Sequence, residues 1–195
     1  TLSSSSAASD VYKRQAPRLP RIADLTARLH TLSNGVRVVC DPMPGLRTIA
    51  VTVAVNGGAR MEDEARSGWS HLLEHLVFKG AGDMGAREIV ERIEAEGGSI
   101  NAATGYERTS FDVRALKGSL PLAMQVLSDL VFRPTLSPEE IEREKDVVAQ
   151  EIAEAFDTPD DHVFEMAQTQ AFAGQALGRP ILGSIASLAL SLIHI

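Results

Sequence analysis

The stretch SHLLEHLVFKG, residues 70–80, places His71 and His75 one helical turn apart, with Glu74 directly before the second histidine. The whole chain has only five histidines, so this pair stands out. At 100° per residue, a helix here collects apolar side chains in one stripe, which predicts a buried face made of Trp69, Leu72, Leu73, Leu76 and Val77. His71, Glu74, His75 and Phe78 fall outside that stripe.

Two interpretations of this second face are open. It is either a solvated polar surface or a metal site, since histidines spaced i, i+4 place two imidazoles side by side. Phe78 on the same face is unusual for a purely solvated surface. A catalytic zinc site needs three protein ligands, so a third donor has to come from elsewhere in the chain.

A long predicted helix from Pro138 to Phe156 offers that donor. Glu144 and Glu151 fall within its predicted buried stripe, whose apolar members are Ile141, Val147, Val148, Ile152 and Ala155. Buried carboxylates require a partner because removing the charge from water costs several kcal/mol. These two glutamates are therefore expected to face a cation, whereas Glu142, Asp146 and Glu154 are predicted to be solvated.

The order of elements predicts an α+β fold. Alternating residues from Leu25 lead to the turn SNG at 33–35 and into VRVVC, a hairpin pattern, and further strands are predicted at TIAVTVAV, SINAAT and RTSFDVRAL. Besides the two helices above, helices are expected at 86–96, 120–132 and 160–172. The expected architecture is a mixed, largely antiparallel sheet with helices packed on one side.

Composition narrows the classes of function. The chain has 195 residues, 44% hydrophobic content and a net charge of −7, which disfavours a nucleic-acid partner. Its longest apolar run is too short for a membrane span, so none is expected. The single Cys40 weakly favours a cytoplasmic or other reducing compartment, and the localisation stays unknown.

The two ends look foreign to the protein. Residues 1–15 have no periodicity and a serine run, and residues 191–195 form an apolar tail without capping signals. Both resemble translated adapter DNA, so we expect a native domain at 16–190 that continues in the natural protein.

These motifs together carry a resemblance. HLLEH at 71–75, followed by Glu151 in EREKDVVAQEI, resembles the inverted zinc motif of the pitrilysin, insulin-degrading enzyme and mitochondrial processing peptidase family. Segments similar to the family's catalytic half follow in the same order: LSNGVRVV, GGARMEDEARSGWSHLLEHLVFKG, GGSINAATGYERTSF and LGRPILG. The resemblance implies the N-terminal catalytic half of such a peptidase, with a second homologous half or partner subunit missing from this chain.

The resemblance also implies roles for residues. His71, His75 and Glu151 would hold one Zn²⁺ ion, and Glu74 would be the general base that activates water. Glu144 would orient a ligand histidine, or else simply pair with a lysine or arginine.

Substrate contacts are implied on the first of the two strands that follow. A peptide would lie along this strand at Asn101, Ala102 and Ala103, with Phe78 as a further contact. The alternatives are an Asn101 that bonds its own backbone and a Phe78 covered by a neighbouring loop.

The expected function is therefore a zinc metalloendopeptidase that hydrolyses short or unfolded peptides. The alternative is a non-catalytic scaffold or substrate-holding subunit of a processing-peptidase-like complex, although such subunits usually lose motif residues that this chain keeps. A purely structural metal domain is the third possibility, but closed zinc sites favour several cysteines and this chain has one.

Overall fold

The computed structural model describes residues 26–190, and the chain divides into two compact units between Leu46 and Arg47. In the first unit, β1 (Arg28–Thr31) and β2 (Arg37–Cys40) pair antiparallel, as the hairpin pattern predicts. Gly35 in the turn has a φ of 87°, a conformation that glycine adopts without strain. The stretches predicted to be foreign, 1–15 and 191–195, lie outside the described residues.

The second unit is built on a three-stranded antiparallel sheet. Its strands are β3 (Thr48–Val55), β6 (Ser99–Thr104) and β7 (Thr109–Leu116), in the order β3-β7-β6. Within the described part of the chain, β6 pairs with β7 alone and is thus an edge strand. A two-residue ladder of β4 (Gly80–Ala81) and β5 (Met84–Gly85) lies apart from it.

Six helices are described in this unit. They are α1 (Trp69–Val77), α2 (Ala86–Ala95), α3 (Leu120–Phe132), α4 (Pro138–Asp157), α5 (Pro159–Ala171) and α6 (Ile185–Ala189), with short 3-10 turns at Ala59–Met61, Glu64–Arg66, Lys117–Ser119 and Ala176–Gly178. Four of the helices match the predicted ones to within one residue at each end, and α1 covers most of the stretch 70–80 but ends at Val77. The short α6 is not predicted by the sequence pattern. None of the helices in the described range is long and apolar enough to cross a bilayer.

Helices α2 and α3 cover one face of the sheet. Alternate residues of β7 point into this core and are buried, which is the period-2 pattern of a strand with one covered face. The core contains Phe111, Val113, Ala115, Ile89, Ile93, Val126, Leu127 and Leu130. An antiparallel sheet with helices on one side confirms the predicted fold class.

A second, smaller core lies where α1 meets α4. Leu72 and Leu76 of α1 pack there with residues of α4 and α6, namely Ile141, Val148 and Leu188. Two predicted core positions are wrong, because Leu73 is 44% exposed and Val147 is 38% exposed. Each is adjacent in sequence to a buried residue and is turned about 100° away from it on its helix, beyond the reach of the facing helix.

Candidate metal and catalytic site

Helix α1 carries the histidine pair, and its first turn is fixed by a side chain from outside the helix. The N-cap residue, Gly68, has no side chain to bond the free amides. The Glu62 carboxylate takes this role: it accepts the N–H of Gly68 at 2.8 Å and the N–H of Ser70 at 2.6 Å. A carboxylate at this end also interacts favourably with the helix dipole.

The segment around α6 braces the same end of α1. The Ser187 hydroxyl donates to the carbonyl of Ser67 at 2.7 Å, and the Trp69 indole N–H donates to the carbonyl of Ser187 at 3.1 Å. Gly68 has a φ of 91°, and a Cβ there would lie 2.4 Å from the Leu182 carbonyl oxygen. The close approach of the two segments therefore requires glycine at 68.

Three potential metal donors converge beside this helix. One ligand atom each from His71, His75 and Glu151 lies within 4.8 Å of the others, and among the described residues this is the group able to hold a metal ion. Glu151 comes from α4, while both histidines lie on α1. The side chains of His71 and His75 are 14% and 19% exposed, which excludes the fully solvated polar face.

The distances leave space at the centre of the group. Glu151 Oε2 lies 3.8 Å from His71 Nε2 and 3.6 Å from His75 Nε2, both too long for hydrogen bonds. Zinc bonds of about 2.0–2.2 Å at tetrahedral angles would separate donor atoms by roughly 3.3–3.6 Å. Two imidazoles and a carboxylate are also a donor set that zinc accepts. The residues present thus fit a zinc ion.

The environment of His71 favours the neutral ring that a metal requires. Burial, and then the neighbouring His75, lower the pKa of His71 below its usual value, although Glu74, Glu151 and Glu62 oppose this shift. A lowered pKa means that the imidazole is neutral at neutral pH, with a lone pair available for a cation. Its Nδ1 atom is buried and finds no hydrogen-bond partner among the described residues.

Glu74 lies next to the donor group without belonging to it. It acts electrostatically on His71, yet its carboxylate is not among the three converging donors. Its Oε2 atom is buried and unpartnered within the described part of the chain. A buried carboxylate oxygen without a protein partner is able to accept a proton from a water molecule or a substrate.

Glu144 contacts both a histidine and a lysine. Its Oε2 lies 3.1 Å from His75 Nδ1, and its Oε1 lies 2.8 Å from the Lys79 ammonium. The glutamate side chain is only 5% exposed, so these contacts compensate a charge that is removed from water. The two alternatives for Glu144, a histidine contact and a lysine pair, are therefore both present.

Three of the four predicted substrate contacts lie on β6, close to the site, and the fourth, Phe78, follows α1. Ala102 packs against the main core, whereas Asn101 and Ala103 are exposed on the other face of the strand. At the end of β6 the Thr104 hydroxyl donates to the Ser70 carbonyl at 3.4 Å, which joins this edge to the start of α1. Phe78 is partly buried against the main core, and this packing accounts for its position without a substrate. A substrate role for these four residues remains a prediction.

Two residues of the site were not singled out from the sequence. Lys79 follows His75 at the i, i+4 spacing, so the helical wheel that identifies the histidines also places a cation on their side. No comparable sequence pattern points to Glu62. Its bonds to Gly68 and Ser70 depend on the path of the intervening loop, which only the structure shows.

Comparison with known proteins identifies the family of this chain. Residues 37–185 match the family described as Insulinase (Peptidase family M16). The uncharacterized zinc protease YmxG of Bacillus subtilis is 38% identical over 160 residues, which cover 82% of this chain and 39% of that protein. An uncharacterized zinc protease of Mycobacterium bovis is 36% identical over 90% of this chain and 40% of its own length.

Solved structures show the same fold. A protease from Helicobacter pylori has a TM-score of 0.80 and 25% identity over 85% of this chain and 40% of its own. Pitrilysin has a TM-score of 0.72 and 27% identity, with 85% of this chain matching 18% of pitrilysin. This chain therefore spans about two fifths of the bacterial relatives, and it belongs to the insulinase family of peptidases, M16.

Proposed function

We propose that this chain is the metal-bearing catalytic domain of a zinc-dependent endopeptidase. One observation carries the proposal: donors from His71, His75 and Glu151 converge to within 4.8 Å, and the buried, unpartnered Glu74 carboxylate stands beside them. A structural metal site has no need for a free carboxylate next to its ligands, whereas hydrolysis needs a base there.

Zinc is the metal that the donor set and the relatives favour. His71 and His75 would bind it through Nε2, and Glu151 through Oε2, because these are the atoms that face one another. The bacterial relatives are named zinc proteases. When bound, zinc polarises a peptide carbonyl and makes a water molecule acidic enough to lose a proton near neutral pH.

The protein's own groups supply the proton transfers. Glu74 would accept the proton of the attacking water through its free Oε2 and then deliver it to the departing amine. Glu144 would hold His75 in place through Nδ1, so that the ring keeps its orientation during turnover.

The substrate would be an extended, short or unfolded peptide. The outer edge of β6, around Asn101, Ala102 and Ala103, leaves backbone groups unpaired by any described strand. The last residue of β6, Thr104, is hydrogen-bonded to the start of α1. Pairing through the backbone binds many sequences, because amide and carbonyl groups are common to all peptides. We therefore infer broad sequence tolerance, with Phe78 as a further candidate contact.

The domain at 16–190 would act together with a second homologous half. The bacterial relatives are about two and a half times the length of the matched segment, so they contain further chain beyond it. That second half, in the same polypeptide or in a partner subunit, would hold the other side of the substrate. A non-catalytic scaffold subunit is the less supported function, because the three donors and Glu74 are all retained.

The test of the proposal is Glu74→Gln, which removes the base and keeps its size. Zinc content should be unchanged, and hydrolysis of a fluorogenic peptide should fall by about 10²–10⁴-fold. Glu154→Gln, on the exposed side of α4, is the matched control and should keep both properties. A Glu74→Gln protein that still cleaves peptides at the original rate would refute the proposed base, and one that lacks zinc would make Glu74 a ligand.

A further inference from the structure

The face of the three-stranded sheet opposite the main core carries a row of polar side chains. Thr52 of β3 and Asn101 of β6 both pair with Asp112 of β7, and directly opposite residues project from the same face of a sheet. Together with Ser99 and Arg114 they line a depression of about 530 Å³. A volume of this size accommodates a long side chain of a bound peptide.

Asp112 brings a carboxylate to this depression without a cation to match it. The hydroxyls of Thr52 and Ser110 donate to its two oxygens, the second at 3.2 Å. Within the described part of the chain, Asp112 forms no ion pair with a lysine, arginine or histidine. A carboxylate has about four acceptor positions, so two hydroxyls leave room for a further donor. The half-buried Asp112 is therefore open to a cation from outside the chain.

Arg114 does not occupy that position. It lies two residues further along β7, is exposed, and pairs across the strands with Ser99 and not with Asn101. Among the described residues no ion pair joins it to Asp112. The depression thus has a carboxylate beside Asn101 and a guanidinium beside Ser99.

A peptide that joins the outer edge of β6 would extend the row of paired residues. Its residue opposite Asn101 would project from the same face as Asn101 and Asp112. Neighbouring strands lie about 4.8 Å apart, so the added strand would be about 10 Å from β7. The stem of a lysine or arginine can lie across Asn101 and bring its charge to the Asp112 carboxylate, whereas short side chains cannot reach it.

We propose that Asp112 is a specificity-determining residue, which binds the lysine or arginine side chain of the substrate residue that pairs with Asn101. This rests on the proposed function only in taking the outer edge of β6 as the strand that a peptide joins. Backbone pairing gives affinity for many sequences, and the carboxylate adds a selection at one position.

The test measures peptide binding to the metal-free full chain, so that no cleavage takes place. Labelled peptides of alternating threonine and valine carry lysine, norleucine or glutamate at the central position, and fluorescence anisotropy gives Kd. Lysine should bind about fivefold more tightly than norleucine, which has a similar shape without the charge. Glutamate should bind more weakly than norleucine, and added salt should reduce both differences.

Asp112→Asn keeps the size of the side chain and an oxygen that accepts from the two hydroxyls. In this variant the lysine and norleucine peptides should bind equally. Asp146→Asn, at an exposed position of α4, changes the net charge by the same amount and is the matched control, which should keep the preference for lysine. Amide ¹H–¹⁵N shifts should place the bound peptide at β6.

A second measurement needs no variant, and it applies if Asp112→Asn does not fold. A carbodiimide joins an amine and a carboxylate in direct contact as an amide, with loss of water. It should link the lysine peptide to Asp112 of the unaltered protein, and mass spectrometry locates the link. Links to other carboxylates alone would overturn the inference.

The outcomes separate this inference from the proposed function. Equal binding of the lysine and norleucine peptides by the wild type, or binding of neither, would overturn the role of Asp112. An unchanged preference for lysine in Asp112→Asn would overturn it as well. A protein that shows the preference, binds zinc and cleaves no peptide would support the role of Asp112 and refute the peptidase.

Discussion

Glu151 is the donor on which the candidate metal site depends most, since it is the member of the group that comes from α4. Its side chain is 38% exposed, more than either histidine, so the protein gains little from its burial. The placement of the Glu151 carboxylate is best explained by its two neighbours, the Nε2 atoms of His71 and His75.

Replacing a donor should remove the metal and leave the fold intact. We expect Glu151→Ala and His71→Ala to lose stoichiometric zinc, because two remaining ligands bind far more weakly than three. Elemental analysis after dialysis measures this directly. Glu154→Ala on the exposed side of α4 should retain zinc, and full zinc content in Glu151→Ala would assign the third ligand elsewhere.

Among single residues, the helical pattern predicted the three candidate donors, the family resemblance implied the histidine contact of Glu144, and the cap formed by Glu62 was not predicted. The spacing of His71 and His75 and the placement of Glu151 in an apolar stripe follow from helical periodicity, which a sequence displays. The histidine contact of Glu144 and the cap formed by Glu62 depend on how helices and loops meet, and periodicity carries no information about that.

Among the elements, α1 depends on a cap that belongs to another segment. Glu62→Ala should lower the free energy of unfolding by about 1–2 kcal/mol, because two amides at the start of α1 lose their acceptor. Urea denaturation measures the change. Glu64→Ala, at a nearby exposed carboxylate, should stay within about 0.5 kcal/mol. Equal effects of both substitutions would show that the cap contributes nothing specific.

The edge strand β6 leads to a prediction about the substrate. An added strand bonds through alternate residues, so N-methylation of one alternate set of peptide amides should raise KM about tenfold per lost bond. Methylation of the other set, whose amides point away, should leave KM nearly unchanged. KM values for the two methylated series decide the matter, and equal values would exclude strand pairing at β6.

The elements themselves were largely predictable. The observed limits of α3, Leu120–Phe132, are the predicted ones, because a proline in the first turn and a continuous apolar stripe are clear signs of a helix. Helix α6 was missed because its five residues are too few to show a periodic pattern. Leu73 and Val147 were wrongly predicted as buried. A helical wheel shows the direction in which a side chain points, but it does not show how much of the helix surface the neighbouring helix covers.

In the whole molecule, α1 joins two cores. Val77 packs in the core beneath the sheet, and Leu72 and Leu76 pack against α4. The three candidate metal donors, Glu74 and the edge strand therefore belong to one compact unit that starts at Arg47. The bacterial relatives contain further sequence beyond the segment that this chain matches.

We therefore expect this chain alone to bind zinc but to cleave peptides slowly. With substrate held on one side only, kcat/KM should be at least about 100-fold below the value reached with a second half, because positioning is lost. The assay compares this chain with and without the separately produced remainder of the Bacillus subtilis relative, and the Glu74→Gln variant controls for contaminating peptidase. A full rate for the chain alone would show that no second half is needed.

The separation of the donors along the chain bears on how the protein is synthesised. A polypeptide still emerging from the ribosome presents His71, Glu74 and His75 long before it contains Glu151. Only after α4 is made and docks on α1 can the third donor arrive. An unfinished chain is itself an extended peptide, and under the proposed function it would lack a complete metal site until α4 has docked. We expect this order of synthesis to protect each nascent molecule, and its neighbours on the same messenger, from premature self-cleavage.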